Sequence, residues 1–259
     1  MAQRWQRFGL AGDTLNTDRD YQGVANLEQR LLETPYRADR KHSMVIRWTH
    51  IFVDQFLANA DALAQQTCTQ LVNNALEYFF GEWRKPDKPN RGPNYPGRGE
   101  DYWGRLGMWH PYLECALCAS AGLRRWADFD KLCSYLRDDV ECCIEQPAQN
   151  CAWWLYFCGV HRGRSQQELE RFRAAVMNGP DEIERALLEW TDQLYDTQQC
   201  DLQPAIDRFV SVYSHREPSE GDMWERLCFR CSILLNLTRR FEKTGILPDS
   251  LSHMIVSFE

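Results

Sequence analysis

The chain has 259 residues, of which 44% are hydrophobic and 26% are charged, as in an ordinary soluble globular protein. This length is enough for one large helical domain or two smaller ones. The net charge of −7 at pH 7 disfavours a general binder of nucleic acids or anionic membranes, because both need a basic face. It suits a basic partner instead.

The N-terminal residues, the longest apolar run and the cysteines indicate the cellular compartment that we expect for the protein. Residues 1–10 contain Arg4 and Arg7 but no apolar core, so we expect no secretory signal there. The longest apolar run, 151–160, is too short to span a bilayer. The eleven cysteines lie mostly within apolar helical patterns, where they act as small hydrophobic residues. We therefore expect a cytoplasmic protein without disulfides.

Helical periodicity dominates the N-terminal third of the sequence. Apolar residues recur at intervals of three and four within 18–34, 44–61 and 68–79, which predicts three helices. The apolar positions are Val24, Leu27 and Leu31 in the first stretch, Val45, Trp48, Phe52 and Phe56 in the second, and Cys68, Leu71, Ala75 and Phe79 in the third.

A change of composition follows these helices. Residues 85–99 contain four prolines and three glycines, so they form neither a helix nor a central strand. A stretch of this length is either a disordered linker or a functional loop. It divides the chain into an N-terminal helical segment, 1–83, a Pro/Gly-rich loop, 84–101, and a main helical region, 102–259, which we expect to form one continuous domain.

A Gly-centred hairpin opens the main region. Residues 102–121 are apolar nearly all round, which predicts a buried helix, and Gly122 breaks it. A second helix follows, because apolar residues again recur at intervals of three and four on one face. These residues are Trp126, Phe129, Cys133, Leu136, Val140 and Cys143.

The rest of the chain continues in the same manner. The stretch 150–160 is the most apolar and predicts a central helix, with a short buried strand as the alternative. Ser165 and Glu168 have the spacing of a capping box. Apolar stripes predict four further helices, over 165–177, 183–194, 202–213 and 224–241, the last closed by Gly245, and then an extended or docked tail over 251–258.

These elements predict an all-α fold of about nine helices. Their short connections force neighbouring helices to run antiparallel. We expect stacked antiparallel helical hairpins, arranged either as a curved array or as a closed bundle.

Two acidic clusters are candidate docking surfaces for a cationic partner. The first closes the helix that starts at Trp126, where acids oppose the helix dipole, so packing explains it less well and we prefer it as a partner-binding site. Its members are Asp138, Asp139, Glu141 and Glu145. The second lines the polar side of the helix over 183–194, and for both clusters a solvated face is the alternative. Its members are Asp181, Glu182, Glu184, Glu189, Asp192 and Asp196.

The Pro/Gly-rich loop offers a second set of partner-binding candidates. Tyr95, Arg98, Tyr102 and Trp103 are of the residue types that anchor protein interfaces. The alternative is a disordered linker whose aromatic side chains pack back onto the protein.

Two Cys-x-x-Cys pairs form a possible zinc set. Cys115 and Cys118, together with Cys228 and Cys231, supply the four thiolates of a structural zinc site. Both pairs lie within apolar helical runs rather than in Gly-bearing turns, so we expect no cofactor and keep a zinc-stabilised scaffold as an alternative.

No catalytic motif stands out. The sequence contains no Gly-x-Ser-x-Gly, Walker loop or dinucleotide fingerprint. The remaining catalytic alternative is a helical, hydrolase-like enzyme with a cleft between hairpins, in which Glu100, Asp101 or Glu114 would work with His110. Acid–base catalysis needs such groups within reach of one substrate. We expect a binding protein rather than an enzyme.

Two family resemblances concern the central hairpin. Trp103-Gly-Arg-Leu106-Gly107, with Ala119, resembles the start of a tetratricopeptide repeat, although His110 stands where that repeat has tyrosine. Residues 102–139 resemble the helical immunity proteins of bacterial polymorphic toxin systems. The features that carry this second resemblance are Trp109-His110-x-x-Leu113, Ala-x-x-Ala-Ser-Ala-Gly-Leu and Trp126-x-x-Phe129-x-x-x-Cys133.

The second resemblance implies a cytoplasmic helical protein that binds and neutralises a cognate toxin without catalysis. The acidic net charge fits this role, because many toxins that act on nucleic acids are basic. From the acidic charge we expect neither nucleic acid nor membrane as a partner, and the sequence leaves the oligomeric state open.

Overall fold

The computed structural model describes residues 17–33, 38–81, 106–135, 152–215, 227–252 and 254–258. These residues contain eleven helices and no strand, which confirms the predicted all-α class. The helices are α1 (Thr17–Glu33), α2 (Ala38–Leu57), α3 (Asp61–Phe80), α4 (Leu106–Gly122), α5 (Trp126–Cys133), α6 (Ala152–His161), α7 (Gln166–Asn178), α8 (Glu182–Tyr195), α9 (Gln203–Tyr213), α10 (Phe229–Arg240) and α11 (Asp249–Ser252).

The chain divides into two compact units. Unit 1 comprises the described residues up to Asp128 together with Phe258, and unit 2 comprises those from Phe129 to Ser257. The predicted loop, 84–101, lies outside the described residues. None of the described helices has both the length and the apolar character that crossing a bilayer requires.

Successive helices of unit 1 pack against each other. Helix α2 contacts α1 and α3, and α3 contacts α4. A short turn joins α2 to α3, with Asn59 in the left-handed region at a φ of 59°. The apolar positions predicted for α2 and α3 are all buried, as expected. Helix α1 differs, because only Asp20 and Val24 are buried while Leu27 and Leu31 stay partly exposed.

The predicted break between two helices is present after Gly122, with one difference in its turn. Helix α4 is buried on nearly all sides from Leu113 to Ala121, as predicted, and it ends at Gly122. The left-handed residue of the turn is Arg124, at a φ of 57°, rather than Gly122. The Phe258 N–H donates to the Gly122 carbonyl oxygen at 3.2 Å, so unit 1 is built from two separate parts of the chain.

Helix α5 has only eight residues and buries Phe129, Leu132 and Cys133. Its predicted continuation through Leu136, Val140 and Cys143 lies outside the part of the chain that the structure describes.

Unit 2 is centred on apolar helices. Helix α6 is buried from Ala152 to Gly159, so the central helix rather than the short strand is the correct alternative. Three side-chain hydrogen bonds join α6 to α8: Trp153 donates to Thr191 at 3.2 Å, Tyr156 to Asp192 at 2.5 Å, and His161 pairs with Tyr195 at 2.6 Å. Because the partners advance in the same order along both helices, α6 and α8 run parallel, as two helices separated by one antiparallel neighbour do.

The predicted capping box begins α7. The Ser165 hydroxyl accepts from the Glu168 N–H at 3.4 Å, and the Glu168 carboxylate accepts from the Ser165 N–H at 2.9 Å. Two backbone N–H groups that the helix leaves without partners are thereby satisfied.

Replacing Ser165 with alanine is expected to lower the free energy of unfolding by about 1 kcal/mol, because both halves of the capping box depend on this residue. Urea unfolding measures the change. Ser211→Ala, at an exposed position within α9, is the matched control and should have almost no effect. Equal losses in the two variants would contradict the capping role.

Helix α10 begins later than predicted, at Phe229 after the N-cap residue Cys228, and its end agrees with the prediction within one residue. It stops at Arg240, and Glu242 takes the left-handed conformation at a φ of 55°. Gly245 therefore does not cap the helix. It lies against α9, where an added Cβ would stand 2.4 Å from Ile206 Cδ1. The close approach of the Ile206 side chain to this backbone position explains the glycine.

The predicted docked tail packs on α10. Asn236 donates from its side-chain amide to the Val256 carbonyl at 2.9 Å, and the Val256 N–H donates to the Ser232 hydroxyl at 3.0 Å. Met254 and Ile255 are buried as well. The polar side chains within the otherwise apolar α10 thus satisfy the backbone of the tail.

Candidate functional site

The preferred partner-binding residues all lie outside the described residues and stay predictions. They are Asp138, Asp139, Glu141 and Glu145 of the first acidic cluster, and Tyr95, Arg98, Tyr102 and Trp103 of the loop. The same holds for Glu100, Asp101 and the side chain of His110, while Glu114 is a half-buried residue of α4.

The cysteine pairs lie in an apolar interior. Cys115 and Cys118 are fully buried in α4, Cys231 is buried in α10, and Cys228 is a partly exposed residue just before α10. Burial, together with the nearby Glu114 carboxylate and other thiols, raises the pKa of Cys115 well above its ordinary value. In the described parts of the chain, no three histidine, cysteine or acidic residues are arranged to hold a metal ion.

Several acids of the second cluster have structural partners. Glu184 forms an ion pair with Arg230 at 2.8 Å, and Asp192 forms one with Arg173 at 3.2 Å. The Asp181 side chain caps α8 by accepting from two backbone N–H groups. These three acids therefore stabilise unit 2 and orient α8.

The remaining acids of this cluster form an exposed stripe on α8, the α8 stripe. Glu182 and Glu189 are exposed and lie seven residues apart on one side of the helix. Asp196 is the exposed C-cap residue that follows the helix, and its carboxylate accepts from the Gln198 N–H at 2.9 Å. Glu182 has one neighbour of opposite charge, the half-buried Arg185, at 3.5 Å. Lys243 donates to the carbonyls of Gln193 and Asp196 and so closes the C-terminal end of the helix.

The charge around this stripe is concentrated. Residues 181–214 contain eight carboxylates and two arginines, a net charge of −6, whereas the whole chain has −7. Arg230 and Arg173, which lie outside this stretch, pair with Glu184 and Asp192, so six carboxylates and two arginines remain, a local excess of −4. A surface of this sign attracts a basic partner over a range of about a Debye length, about 8–10 Å at physiological salt.

A second constellation in unit 2, the His161 network, joins four helices. His161 ends α6, and its Nε2 lies 2.8 Å from Asp130 Oδ1 in α5. Its Nδ1 lies 2.6 Å from the Tyr195 hydroxyl in α8. Asp130 also accepts from Arg240 of α10 at 3.0 and 3.4 Å. The imidazole stacks on Phe157 with ring centroids 6.2 Å apart.

The electrostatics of the network define its protonation state. Burial lowers the pKa of His161, and this outweighs the opposing effect of Asp130. Burial alone would raise the pKa of Asp130, but the hydrogen bonds from Arg240 and His161 lower it instead. At neutral pH the histidine is therefore neutral beside an anionic carboxylate. Because a carboxylate only accepts, Nε2 holds the ring proton and Nδ1 accepts from Tyr195.

An aspartate–histidine pair of this kind can support acid–base chemistry when the second ring nitrogen faces a substrate. Here Tyr195, itself largely buried, occupies that nitrogen. The network is therefore a junction that fixes the ends of α6 and α8. Sequence reasoning missed it, because its members lie far apart in the chain and none of the histidines has the spacing of a metal site. The one local signal is a histidine that ends the most apolar helix.

Unit 1 contains a smaller histidine cluster. Asp20 of α1 is buried, accepts a hydrogen bond from Arg47, and lies 3.7 Å from His50 Nδ1. Gly23 lets the Arg47 side chain cross α1, because an added Cβ would stand 2.9 Å from Arg47 Nε. Burial lowers the pKa of His50 despite the nearby carboxylate.

Because of His50 and His161, we expect the protein to lose stability on mild acidification. Their pKa values in the folded protein lie below the value of about 6.5 in an unfolded chain, so the unfolded state binds more protons. The free energy of unfolding should be highest above about pH 6.5, fall as the pH drops below that value, and level off below the folded-state pKa values of the two histidines.

Urea unfolding at several pH values measures this dependence. The double variant His50→Gln, His161→Gln is the control and should have a nearly flat profile between pH 7 and pH 5. If the wild-type protein became more stable as the pH falls from 7 to 5, the lowered pKa values assigned to His50 and His161 would be wrong.

Comparison with known proteins gives no match: no family model, no curated protein and no solved structure matches this chain.

Proposed function

We propose that this chain is a cytoplasmic bacterial immunity protein, which binds a cognate toxin and neutralises it by covering its active site. The observation that carries the proposal is the concentration of negative charge on residues 181–214. The resemblance of residues 102–139 to helical immunity proteins supports the same function. A protein that works by occlusion needs a complementary surface and no catalytic groups.

The α8 stripe suits recognition of a basic surface. Its three carboxylates point away from the core of unit 2, while Leu187, Trp190 and Leu194 anchor the opposite side of the helix. The stripe is thus displayed on a helix whose position is fixed before binding, and preorganisation lowers the cost of association. Charge complementarity would act first on the rate of encounter.

A growth assay tests the function directly. The reading frame next to the gene of this chain supplies the candidate toxin, which is produced from an inducible promoter with or without this protein. We expect growth to stop when the neighbouring product is made alone and to resume when the two proteins are made together. Equal growth inhibition in the presence of this protein would refute the proposal.

Neutralising the α8 stripe is expected to slow association with the toxin about tenfold at low salt and to flatten the salt dependence. The variant is Glu182→Gln, Glu189→Gln, Asp196→Asn, which keeps the shape of each side chain. Stopped-flow or surface-based kinetics at several salt concentrations measure the effect.

A matched control changes the same charge elsewhere. Asp18→Asn, Glu28→Gln and Glu33→Gln alter three exposed residues of α1 and should leave the association rate almost unchanged. If both variants lowered the association rate equally, the net charge of the protein, and not the α8 stripe, would set that rate. Reversal of Asp138 and Asp139 in the same assay tests the surface preferred from the sequence, and unchanged affinity and salt response would exclude it.

A further inference from the structure

We propose that the hydrogen bond between His161 and Tyr195 is a proton-operated latch, which holds the C-terminal ends of α6 and α8 together and loosens when the imidazole takes up a proton. The proposal is independent of the proposed function, because it concerns the interior of unit 2 and not the α8 stripe.

The latch follows from the two partners of the imidazole ring. Asp130 faces Nε2 at 2.8 Å and Tyr195 faces Nδ1 at 2.6 Å, so both ring nitrogens are occupied. A neutral ring matches this arrangement, because it donates to the carboxylate and accepts from the hydroxyl. A proton taken up from solvent binds the Nδ1 lone pair, and the ring then only donates. The Tyr195 hydroxyl can then accept from Nδ1–H only if its own hydrogen turns away from the ring, where the described residues offer that hydrogen no other acceptor.

The charged and titratable groups around the ring set the direction of this response. They are Asp130 and Cys133 of α5, Cys158 of α6, Arg162 next to the ring, Tyr195 of α8 and Arg240 of α10. Asp130 favours the protonated ring, but Arg240 already donates to both oxygens of that carboxylate. Burial and Arg240 both disfavour the cation, so uptake of the proton acts against the folded arrangement.

The response is confined to one end of the helix pair. The other two bonds between α6 and α8, from Trp153 to Thr191 and from Tyr156 to Asp192, involve no histidine. They lie closer to the N-terminal ends of both helices. Protonation of the imidazole therefore loosens the last turns of α6 and α8, while the remainder of the pair keeps its bonds.

Hydrogen exchange and NMR on the full chain test the latch. Nitrogen-15 shifts of the His161 ring should show the Nε2-protonated tautomer at pH 7.5. Between pH 7 and pH 5, after correction for intrinsic exchange, protection of amides 158–161 and 193–195 should fall about tenfold more than protection of amides 154–156. A uniform change along α6, or the Nδ1-protonated tautomer, would overturn the proposal.

Two variants should move the titration of His161 in opposite directions. Tyr195→Phe removes the hydroxyl group whose hydrogen loses its acceptor when His161 is protonated, so the pKa of His161 should rise. Asp130→Asn removes the anion that favours the cation, so the pKa should fall. An unchanged or lower pKa in Tyr195→Phe would overturn the latch, because Tyr195 would then have no part in opposing protonation.

A further variant keeps the test decisive if Tyr195→Phe does not fold. His161→Gln can accept from Tyr195 and donate to Asp130, as the neutral ring does, but it does not titrate. The selective loss of protection on acidification should disappear in this variant. His50→Gln is the matched control in unit 1 and should retain it. Persistence of the loss in His161→Gln would overturn the proposal.

Discussion

Replacing Trp153 with alanine is expected to lower the free energy of unfolding by about 3–5 kcal/mol. This tryptophan is fully buried in α6, and its indole stacks on Phe157 with ring centroids 5.1 Å apart. Its Nε1–H donates to Thr191, and the guanidinium of Arg230 lies 5.4 Å from the ring centroid. Alanine leaves a cavity in the centre of unit 2 and removes the cation–π contact and the hydrogen bond together.

Chemical unfolding followed by circular dichroism measures this loss. Trp153→Phe is the matched variant, because it keeps an aromatic ring against Phe157 but cannot donate to Thr191. We expect it to cost about 1–2 kcal/mol, from the lost hydrogen bond and the smaller ring. Met177→Ala, at a residue that is 48% exposed, should cost much less. A Trp153→Ala variant as stable as Met177→Ala would contradict the central position of α6.

Replacing Gly159 with valine is expected to lower the free energy of unfolding by about 3 kcal/mol. Gly159 is buried in α6, and an added Cβ would stand 2.4 Å from Leu169 Cδ2 of α7. Leu169 is itself fully buried, so it cannot move aside into solvent. The branched side chain therefore forces the two helices apart, and the small gain in helix propensity over glycine does not offset this strain.

A double-mutant cycle isolates the steric contact. Leu169→Ala alone should cost about 2–5 kcal/mol because it leaves a cavity. In that background, Gly159→Val should cost only about 1 kcal/mol, because the new side chain occupies the vacated space. Strictly additive losses would show that the contact between these two positions does not explain the glycine.

Much of the fold was predictable because its signals are local. Hydrophobic periodicity identified α2, α3 and α8, and the spacing of Ser165 and Glu168 identified the start of α7. Helix ends were predicted less well. Arg124 and Glu242 adopt the left-handed conformation where glycine was expected to end or turn the helix. Backbone hydrogen bonds from the Arg125 N–H to Ser120 and from the Lys243 N–H to Thr238 close these helix ends without a glycine.

The interior networks could not be predicted from the sequence. Asp130, His161, Tyr195 and Arg240 come from four helices, and their convergence depends on helix packing rather than on any spacing in the chain. The exposed acids of α8 were visible as a cluster, but only the structure separates Glu184 and Asp192, which have structural partners, from the exposed stripe.

The discontinuity of unit 1 has a consequence for folding during synthesis. Its helices leave the ribosome first, but Phe258, which donates to the Gly122 carbonyl, is translated only after all of unit 2. Domains usually fold in the order in which they emerge. The helices of unit 1 can therefore pack while unit 2 is still being made, but the hydrogen bond that Phe258 gives to Gly122 forms only after the rest of the chain has been translated.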